Sequence, residues 1–130
     1  MKKILLIIAG VLGVLILAFF IFNRIYRLKT IDKNLGKKIE NGAVILDVRT
    51  EKERKSGYIE GSKHISLGTI RERYVELDTA LTYITYCSHG IRSVEVKNIL
   101  KEKGIKKVYN GGAISDLQAI IDKINQKRAN

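Results

Sequence analysis

The amino-terminal part of the chain contains nineteen consecutive residues, Ile4 to Phe22, without a charged side chain. A helix of this length spans roughly 28 Å at about 1.5 Å per residue, close to the ~30 Å hydrocarbon core of a bilayer. The run is apolar all round, whereas a helix on the surface of a soluble domain keeps a polar face. A secretory signal peptide usually has an apolar region of only about 7–15 residues and ends at a small-residue cleavage site. No such site follows Phe22. The run therefore predicts a retained single-pass membrane anchor.

Basic side chains flank the run on both sides: Lys2, Lys3, Arg24, Arg27 and Lys29. The positive-inside rule therefore gives nearly equal weight to the two orientations of the anchor. The chain has a single cysteine, and an unpaired thiol that has to stay reactive is better placed in the reducing cytoplasm. We expect residues 1–29 to form the anchor and a basic juxtamembrane segment, and residues 30–130 to form one domain that faces the cytoplasm.

The chain has 130 residues, with 24 Lys and Arg against 13 Asp and Glu. Residues 1–29 hold five of the basic residues and no acidic one, which leaves 19 basic and 13 acidic residues in the domain. These charges are interspersed and form no basic stripe with interleaved aromatic residues, so nucleic-acid binding is not expected. A solvated surface near anionic lipid explains them better. A single Cys excludes an internal disulfide, and one Cys with two His disfavours a structural zinc site. We expect no metal and no organic cofactor.

The rest of the chain alternates between two patterns. Nearly continuous β-branched and aliphatic runs are typical of strands covered on both faces. Longer stretches with capping boxes at Thr50-x-x-Glu53 and Ser115-x-x-Gln118 are typical of helices. The predicted strands are Ala43 to Val48, His64 to Leu67, Leu81 to Cys87 and Lys107 to Tyr109, and the predicted helices are Asp32 to Glu40, Thr50 to Lys55, Ile70 to Glu76, Ile91 to Lys103 and Leu117 to Lys127. This alternation predicts an α/β domain with a mainly parallel sheet flanked by helices, in which ligands bind beyond the carboxyl ends of the strands.

Cys87 lies at the end of one predicted strand, in a short turn that leads into a predicted helix. The turn and the start of the helix consist of Ser88, His89, Gly90, Ile91, Arg92 and Ser93. Free backbone N–H groups of the turn, the helix dipole and the charge of Arg92 all favour the thiolate form of the cysteine. Cys87 is therefore predicted to be a nucleophile, the alternative being an inert cysteine that fills a strand end. His89 is either a solvent-facing loop residue or a contact to an anionic substrate.

The string C-S-H-G-I-R-S at 87–93 resembles the C-x-x-G-x-R-S active-site loop of the rhodanese-like family. Because the apolar run precedes it, the chain as a whole resembles a membrane-anchored single-domain bacterial member of that family. Three more segments resemble family motifs in the expected order: V-I-L-D-V-R at 44–49, G-Y-I-E-G-S-K-H-I-S-L at 57–67 and L-K-E-K-G-I-K-K-V-Y-N-G-G at 100–112. Together they cover about residues 30–120. The resemblance implies the rhodanese-like three-layer fold, preceded here by one transmembrane helix. Tyr58 and Glu60 stand where the family often has His and Pro, which leaves the substrate preference open.

The same resemblance implies a sulfurtransferase. The Cys87 thiolate would take the sulfane sulfur of a donor such as thiosulfate as a persulfide and pass it to a thiol or cyanide-like acceptor. Loop residues 88–93 would bind the substrate and the persulfide without a metal or organic cofactor. Gly90 would permit the backbone turn, Arg92 would brace the loop or attract the donor, and Ser93 would help to cap the helix. The expected partners are a small anionic sulfur donor, a thiol acceptor and the membrane.

Supporting residues are predicted at the edges of the sheet. Asp47 is expected to accept hydrogen bonds at its strand end and Arg49 to pair with a neighbouring acid, rather than to act as catalytic acid and anion clamp. His64 is expected to pack beside its strand. Gly111 and Gly112 are expected to form a turn at the carboxyl edge of the sheet, where they would also line the pocket.

Two other functions fit part of the pattern. Cysteine phosphatases also hold an anion over a thiolate beside an arginine, but their signature has one residue more than the four that separate Cys87 from Arg92. A rhodanese-like domain can also serve as a non-enzymatic binding module at the membrane. Inactive members typically lack the cysteine that this chain keeps, so sulfur transfer is the preferred hypothesis.

Overall fold

The computed structural model describes all residues from Met1 to Asn130. Its first element is one continuous helix, α1 (Lys2–Thr30), which contains the predicted apolar run and continues for about two turns beyond Phe22. No residue of α1 is buried. By length and composition α1 could cross a membrane, a property that it shares with signal sequences. Arg27 and Lys29 lie in its last turn, where the helix dipole favours positive charge.

Four parallel strands form the sheet, in the order β2-β1-β3-β4. They are β1 (Val44–Asp47), β2 (Lys63–His64), β3 (Tyr83–Cys87) and β4 (Val108–Ala113), and each overlaps a predicted strand. Because all four strands are parallel, their carboxyl ends lie at the same edge of the sheet. Asp47 and Cys87, the last residues of β1 and β3, are therefore found at this edge.

β4 is longer than predicted. The predicted turn at Gly111 and Gly112 was therefore wrong, because both residues belong to the strand. The register with β3 shifts between Thr85 and Cys87, where β4 has one residue more than β3, so the extra residue forms an irregularity of the bulge type. Gly112 has a φ of +82°, which a side chain would strain, and a β-carbon at Gly111 would lie 2.9 Å from the Thr85 carbonyl oxygen.

Five helices follow α1: α2 (Leu35–Glu40), α3 (Glu51–Lys55), α4 (Ile70–Arg73), which a 3-10 turn extends to Glu76, α5 (Ile91–Glu102) and α6 (Ile114–Ala129). Successive residues of a strand point to opposite faces of a sheet. Tyr83 and Cys87 accordingly belong to the core on the side of α4 and α5, and Ile84 and Tyr86 to the core on the side of α2 and α6. The result is a sheet between two layers of helices, which agrees with the α/β domain that the alternation predicted and with the three layers that the resemblance implied.

Hydrogen bonds connect the end of α1 and the residues after it to β4, and α2 starts at Leu35 and not at Asp32 as predicted. The Asp32 carboxylate accepts hydrogen bonds from the backbone N–H of Asn110 (2.6 Å) and from Nζ of Lys97 (2.5 Å). The side-chain amide of Asn110 donates to the carbonyl oxygen of Thr30 (2.9 Å), and the backbone carbonyl oxygen of Asn110 accepts from the backbone N–H of Asp32 (3.0 Å). These bonds fix the last turn of α1 against the sheet.

α6 starts at Ile114 rather than at Leu117, because the chain leaves β4 directly into the helix. Its first turn is closed by the Asp116 carboxylate, which accepts a hydrogen bond from the backbone N–H of Ala113 (3.3 Å). The predicted capping box that begins at Ser115 was therefore wrong, since Ser115 already lies inside the helix.

Candidate active site

Cys87 is the last residue of β3, and only 1% of its surface is exposed. The backbone N–H of Gly90 donates a hydrogen bond to its sulfur, with 3.0 Å between N and Sγ. This contact requires the chain to turn back within three residues, and Gly90 makes the turn with a φ of +87°, in the left-handed region that glycine favours. The geometry gives the sulfur a backbone donor, and such a donor stabilises negative charge on it.

The other loop residues surround the sulfur unequally. Ser88 is half-buried, His89 is exposed, and Ile91 is 77% exposed. Ser93 is buried, and its hydroxyl lies 3.6 Å from Cys87 Sγ. The prediction that Ser93 caps α5 was wrong, because the N-cap position belongs to Gly90 and no side chain caps the helix. Its hydroxyl oxygen instead accepts a hydrogen bond from the Cys87 thiol.

Glu53 holds the loop, a contact that sequence reasoning missed. Its carboxylate accepts two hydrogen bonds from the guanidinium of Arg92, Nη1–Oε2 at 2.8 Å and Nη2–Oε1 at 2.7 Å, and one from the hydroxyl of Ser88 at 3.1 Å. It also accepts from the backbone N–H and the hydroxyl of Thr50, which completes the predicted capping box of α3. The box pattern identified Glu53 as a helix-capping residue, but it carried no signal for a contact to a loop 39 positions away.

The charges of this pair stabilise each other. Hydrogen bonds from Arg92 hold the pKa of Glu53 far below its usual value, with further lowering from the bonds of Thr50 and Ser88 and a smaller opposing effect of desolvation. The Glu53 carboxylate in turn raises the pKa of Arg92. Glu53 and Arg92 therefore stay ionised together through neutral and mildly acidic pH.

Asp47 forms a second buried cluster at the end of β1. Its carboxylate binds the guanidinium of Arg49 through Nε (3.1 Å) and Nη2 (2.9 Å), which confirms the predicted pairing of Arg49 with a neighbouring acid. Nη1 of Arg54 (3.1 Å) and the hydroxyl of Tyr86 (2.9 Å) also donate to it. Asp47 and Tyr86 are register partners, and Tyr86 directly precedes Cys87. The cluster thus ties the end of β1 to the strand that carries the cysteine.

Burial alone would raise the pKa of Asp47, but hydrogen bonds from the side chain and backbone of Arg49 and from Tyr86 bring it below its usual value. Burial, together with the Asp47 charge, raises the pKa of Tyr86. His64 lies in β2 beside this cluster, and its Nε2 is 2.7 Å from the carbonyl oxygen of Arg49. No group of three or more His, Cys, Asp or Glu side chains is arranged to hold a metal ion.

Comparison with known proteins agrees with this geometry. A family model for the rhodanese-like domain matches residues 32–113. The chain belongs to the rhodanese-like domain family. The match spans β1 to β4, and it includes both Asp47 and the loop that follows Cys87.

Individual relatives of this rhodanese-like domain include named sulfurtransferases. It is 38% identical over 82 residues to "Putative sulfurtransferase YtwF" of Bacillus subtilis, which covers 62% of this chain and 80% of that protein. It is 34% identical over 67 residues to "Thiosulfate sulfurtransferase GlpE" of Coxiella burnetii, which covers 52% of this chain and 63% of that protein. The solved structure "rhodanese with anions from E. coli" superposes with a TM-score of 0.55 at 30% identity and covers 58% of this chain and 91% of that one. The predicted rhodanese-like α/β fold is thereby confirmed.

Proposed function

We propose that this rhodanese-like domain is a sulfurtransferase in which Cys87 carries the sulfur. The observation that carries the proposal is the hydrogen bond from the backbone N–H of Gly90 to the cysteine sulfur, made inside a short loop between β3 and α5. Such a donor stabilises a thiolate and, after sulfur uptake, the anion that replaces it. The names of the relatives support the same chemistry, since two of them are called sulfurtransferases.

The reaction has two displacement steps. The Cys87 thiolate attacks the outer sulfur of thiosulfate, the S–S bond of the donor breaks, and sulfite leaves with the electron pair, so that Cys87 becomes a persulfide anion. A nucleophilic acceptor, cyanide in the assay or a thiolate, then attacks the outer sulfur of the persulfide. The bond between the two sulfurs breaks, and the Cys87 thiolate is restored. Neither step needs an external oxidant or reductant.

The loop residues take separate roles in this proposal. Gly90 supplies a backbone donor to the sulfur, and the hydroxyl oxygen of Ser93 accepts the hydrogen bond of the thiol. Arg92 is a positioning residue that braces the loop through Glu53, as its two short hydrogen bonds indicate. His89 and Ile91, both exposed, lie where a substrate approaches the loop. Ser88 ties the backbone after the cysteine to Glu53. Asp47 and Arg49 support the edge of the sheet.

The decisive experiment uses the full-length chain in detergent micelles. Thiocyanate formation from thiosulfate and cyanide is measured for the wild type, for Cys87→Ser and for Ser115→Ala, a control on the exposed start of α6. Intact mass spectrometry follows the uptake of one sulfur atom. We expect turnover and sulfur uptake in the wild type and the control, and neither in Cys87→Ser. Failure to take up sulfur from thiosulfate and also from polysulfide would overturn the proposal in favour of a binding module.

The same proposal includes the place of the domain in the cell. Residues 1–29 form a membrane anchor and juxtamembrane segment, and residues 30–130 form a domain that faces the cytoplasm. The absence of buried residues in α1 supports the anchor, because a helix of a soluble core buries one face. A membrane-impermeant thiol reagent should label Cys87 in lysed cells and not in intact ones. Labelling of Cys87 from outside intact cells would overturn the proposed cytoplasmic orientation of the domain.

A further inference from the structure

A cleft is lined by both the carboxyl-terminal part of α1 and the active-site loop. Its volume is about 930 Å³. α1 contributes Phe20, Arg24 and Arg27 to its wall, and the loop and the start of α5 contribute His89, Gly90 and Ile91. The cleft is therefore bounded on one side by the residue whose N–H contacts the cysteine sulfur, and on the other by two arginines from outside the rhodanese-like core.

Arg27 lies directly against this loop. A β-carbon on Gly90 would be 3.3 Å from Cγ of Arg27, so the aliphatic part of the arginine packs on the turn that holds Cys87. The Nε atom of Arg27 is buried and has no hydrogen-bond partner. Arg27 also makes no ion pair, since none of the salt bridges of the molecule includes it. The charge of the Arg27 guanidinium is therefore neutralised by no protein group, and because burying part of an unpaired cation is costly, an anion in the cleft would be bound favourably.

The other arginines near the sulfur are already occupied. Both terminal nitrogens of Arg92 bind Glu53, and Arg49 and Arg54 bind Asp47. Glu95 is the only acidic residue that lines the cleft, and it pairs with neither Arg24 nor Arg27. The charge available to an incoming anion at this loop therefore comes from α1.

We propose that Arg27 is a substrate-binding residue that takes the oxyanion end of a sulfur donor, so that α1 completes the active site in addition to its role as an anchor. The inference rests on the proposed sulfurtransferase function and specifies its donor as a small sulfur oxyanion such as thiosulfate. In the transfer step the electron pair of the broken S–S bond leaves with sulfite. A guanidinium that holds the oxyanion end binds its negative charge both before and after the S–S bond breaks, so it contributes to donor binding more than to the chemical step.

The first test does not depend on turnover. Cys87 is the only cysteine, so its alkylation by iodoacetate, an anion, and by iodoacetamide, a neutral reagent of similar size, can be followed by intact mass. In each case the thiolate displaces iodide. The two rate constants are measured for the full-length wild type, Arg27→Gln, Arg27→Lys and Lys29→Gln in detergent micelles. Lys29 is the matched control, because it lies in the same turn and does not line the cleft.

We expect Arg27→Gln to lower the iodoacetate-to-iodoacetamide rate ratio about fivefold, whereas Arg27→Lys and Lys29→Gln stay within about twofold of the wild type. An unchanged ratio in Arg27→Gln, or an equal fall in Lys29→Gln, would overturn the proposal. Faster alkylation of Arg27→Gln by both reagents would also overturn it, since Arg27 would then cover the loop rather than bind the anion. Absence of alkylation in every native form would overturn it as well, because the cleft would give no access to the sulfur.

The second test separates this inference from the proposed function. For thiosulfate, Arg27→Gln should raise KM about tenfold with kcat changed less than about threefold, and Arg27→Lys should restore most of the loss. A wild type that transfers no sulfur would remove the sulfurtransferase proposal, while the alkylation ratio still decides whether Arg27 attracts anions to Cys87. A wild type that turns over with no KM effect in Arg27→Gln would leave the sulfurtransferase in place and remove the role of Arg27.

Discussion

Glu53 and Arg92 are 39 positions apart, yet the two oxygens of the carboxylate face the two terminal nitrogens of the guanidinium at 2.7 and 2.8 Å. The pair connects the start of α3 to the first turn of α5. Ser88 donates to the same carboxylate, so Glu53 connects two side chains of the active-site loop and helix start to α3. These bonds favour the role of Arg92 as a brace over the other role that the sequence left open, attraction of the anionic donor.

Arg92→Lys tests the brace, because lysine keeps the charge but cannot make two parallel hydrogen bonds. We expect sulfur transfer to fall about tenfold, the equivalent of one charge-assisted hydrogen bond. The measurement is thiocyanate formation by the full-length protein, with Arg71→Lys on the exposed surface of α4 as the control. Full activity in Arg92→Lys would mean that the charge of Arg92, and not its geometry, is what the loop needs.

Glu53→Gln should change the pH dependence of stability. The pKa of Glu53 is lowered in the folded state, so its stabilising contribution is complete above its usual value of 4.5 and is lost progressively as the pH falls below it. We expect the wild type to exceed Glu53→Gln by about 1 kcal/mol at pH 7, a modest value because both side chains are about one third exposed. The difference should shrink as the pH falls from 5 towards 3. Thermal unfolding in detergent, followed by circular dichroism, measures it, and a difference that grows in acid would contradict the assignment.

The sequence predicted what depends on local pattern. The strands were predictable because residues such as Ile84 and Cys87 face two separate cores, which makes β3 apolar along its length. The loop after Cys87 was predictable because its turn and its helix start are contiguous in sequence. The Glu53–Arg92 pair was not, since the capping box already accounted for Glu53. The approach of Arg27 to Gly90 was not predictable either, because the end of an apolar helix has no pattern that says which part of a domain it contacts.

Asp47→Asn tests the buried cluster at the end of β1. Asp47 is fully buried, and its charge is shared by Arg49 and Arg54. Asparagine has almost the same shape but leaves these guanidinium groups without a counter-charge, so we expect a loss of about 3 kcal/mol. Asp122→Asn, at a solvated position on α6, should change stability by less than about 0.5 kcal/mol. Equal unfolding midpoints for the two variants would show that the cluster does not hold the sheet edge.

Gly111→Ala tests the close packing of β4 on β3. The new β-carbon would lie 2.9 Å from the carbonyl oxygen of Thr85 and 2.9 Å from Cγ2 of Ile84. Because one of these atoms belongs to the backbone of the sheet, it cannot move aside, and we expect a loss of about 1–3 kcal/mol. Gly68→Ala is the matched control, since nothing lies within 4 Å of its added methyl group and its φ is not in the left-handed region. Its stability should stay within about 0.5 kcal/mol of the wild type. If Gly111→Ala unfolds at the same temperature as Gly68→Ala, the bulge in β4 has room for a side chain and the close approach of the two strands is wrong.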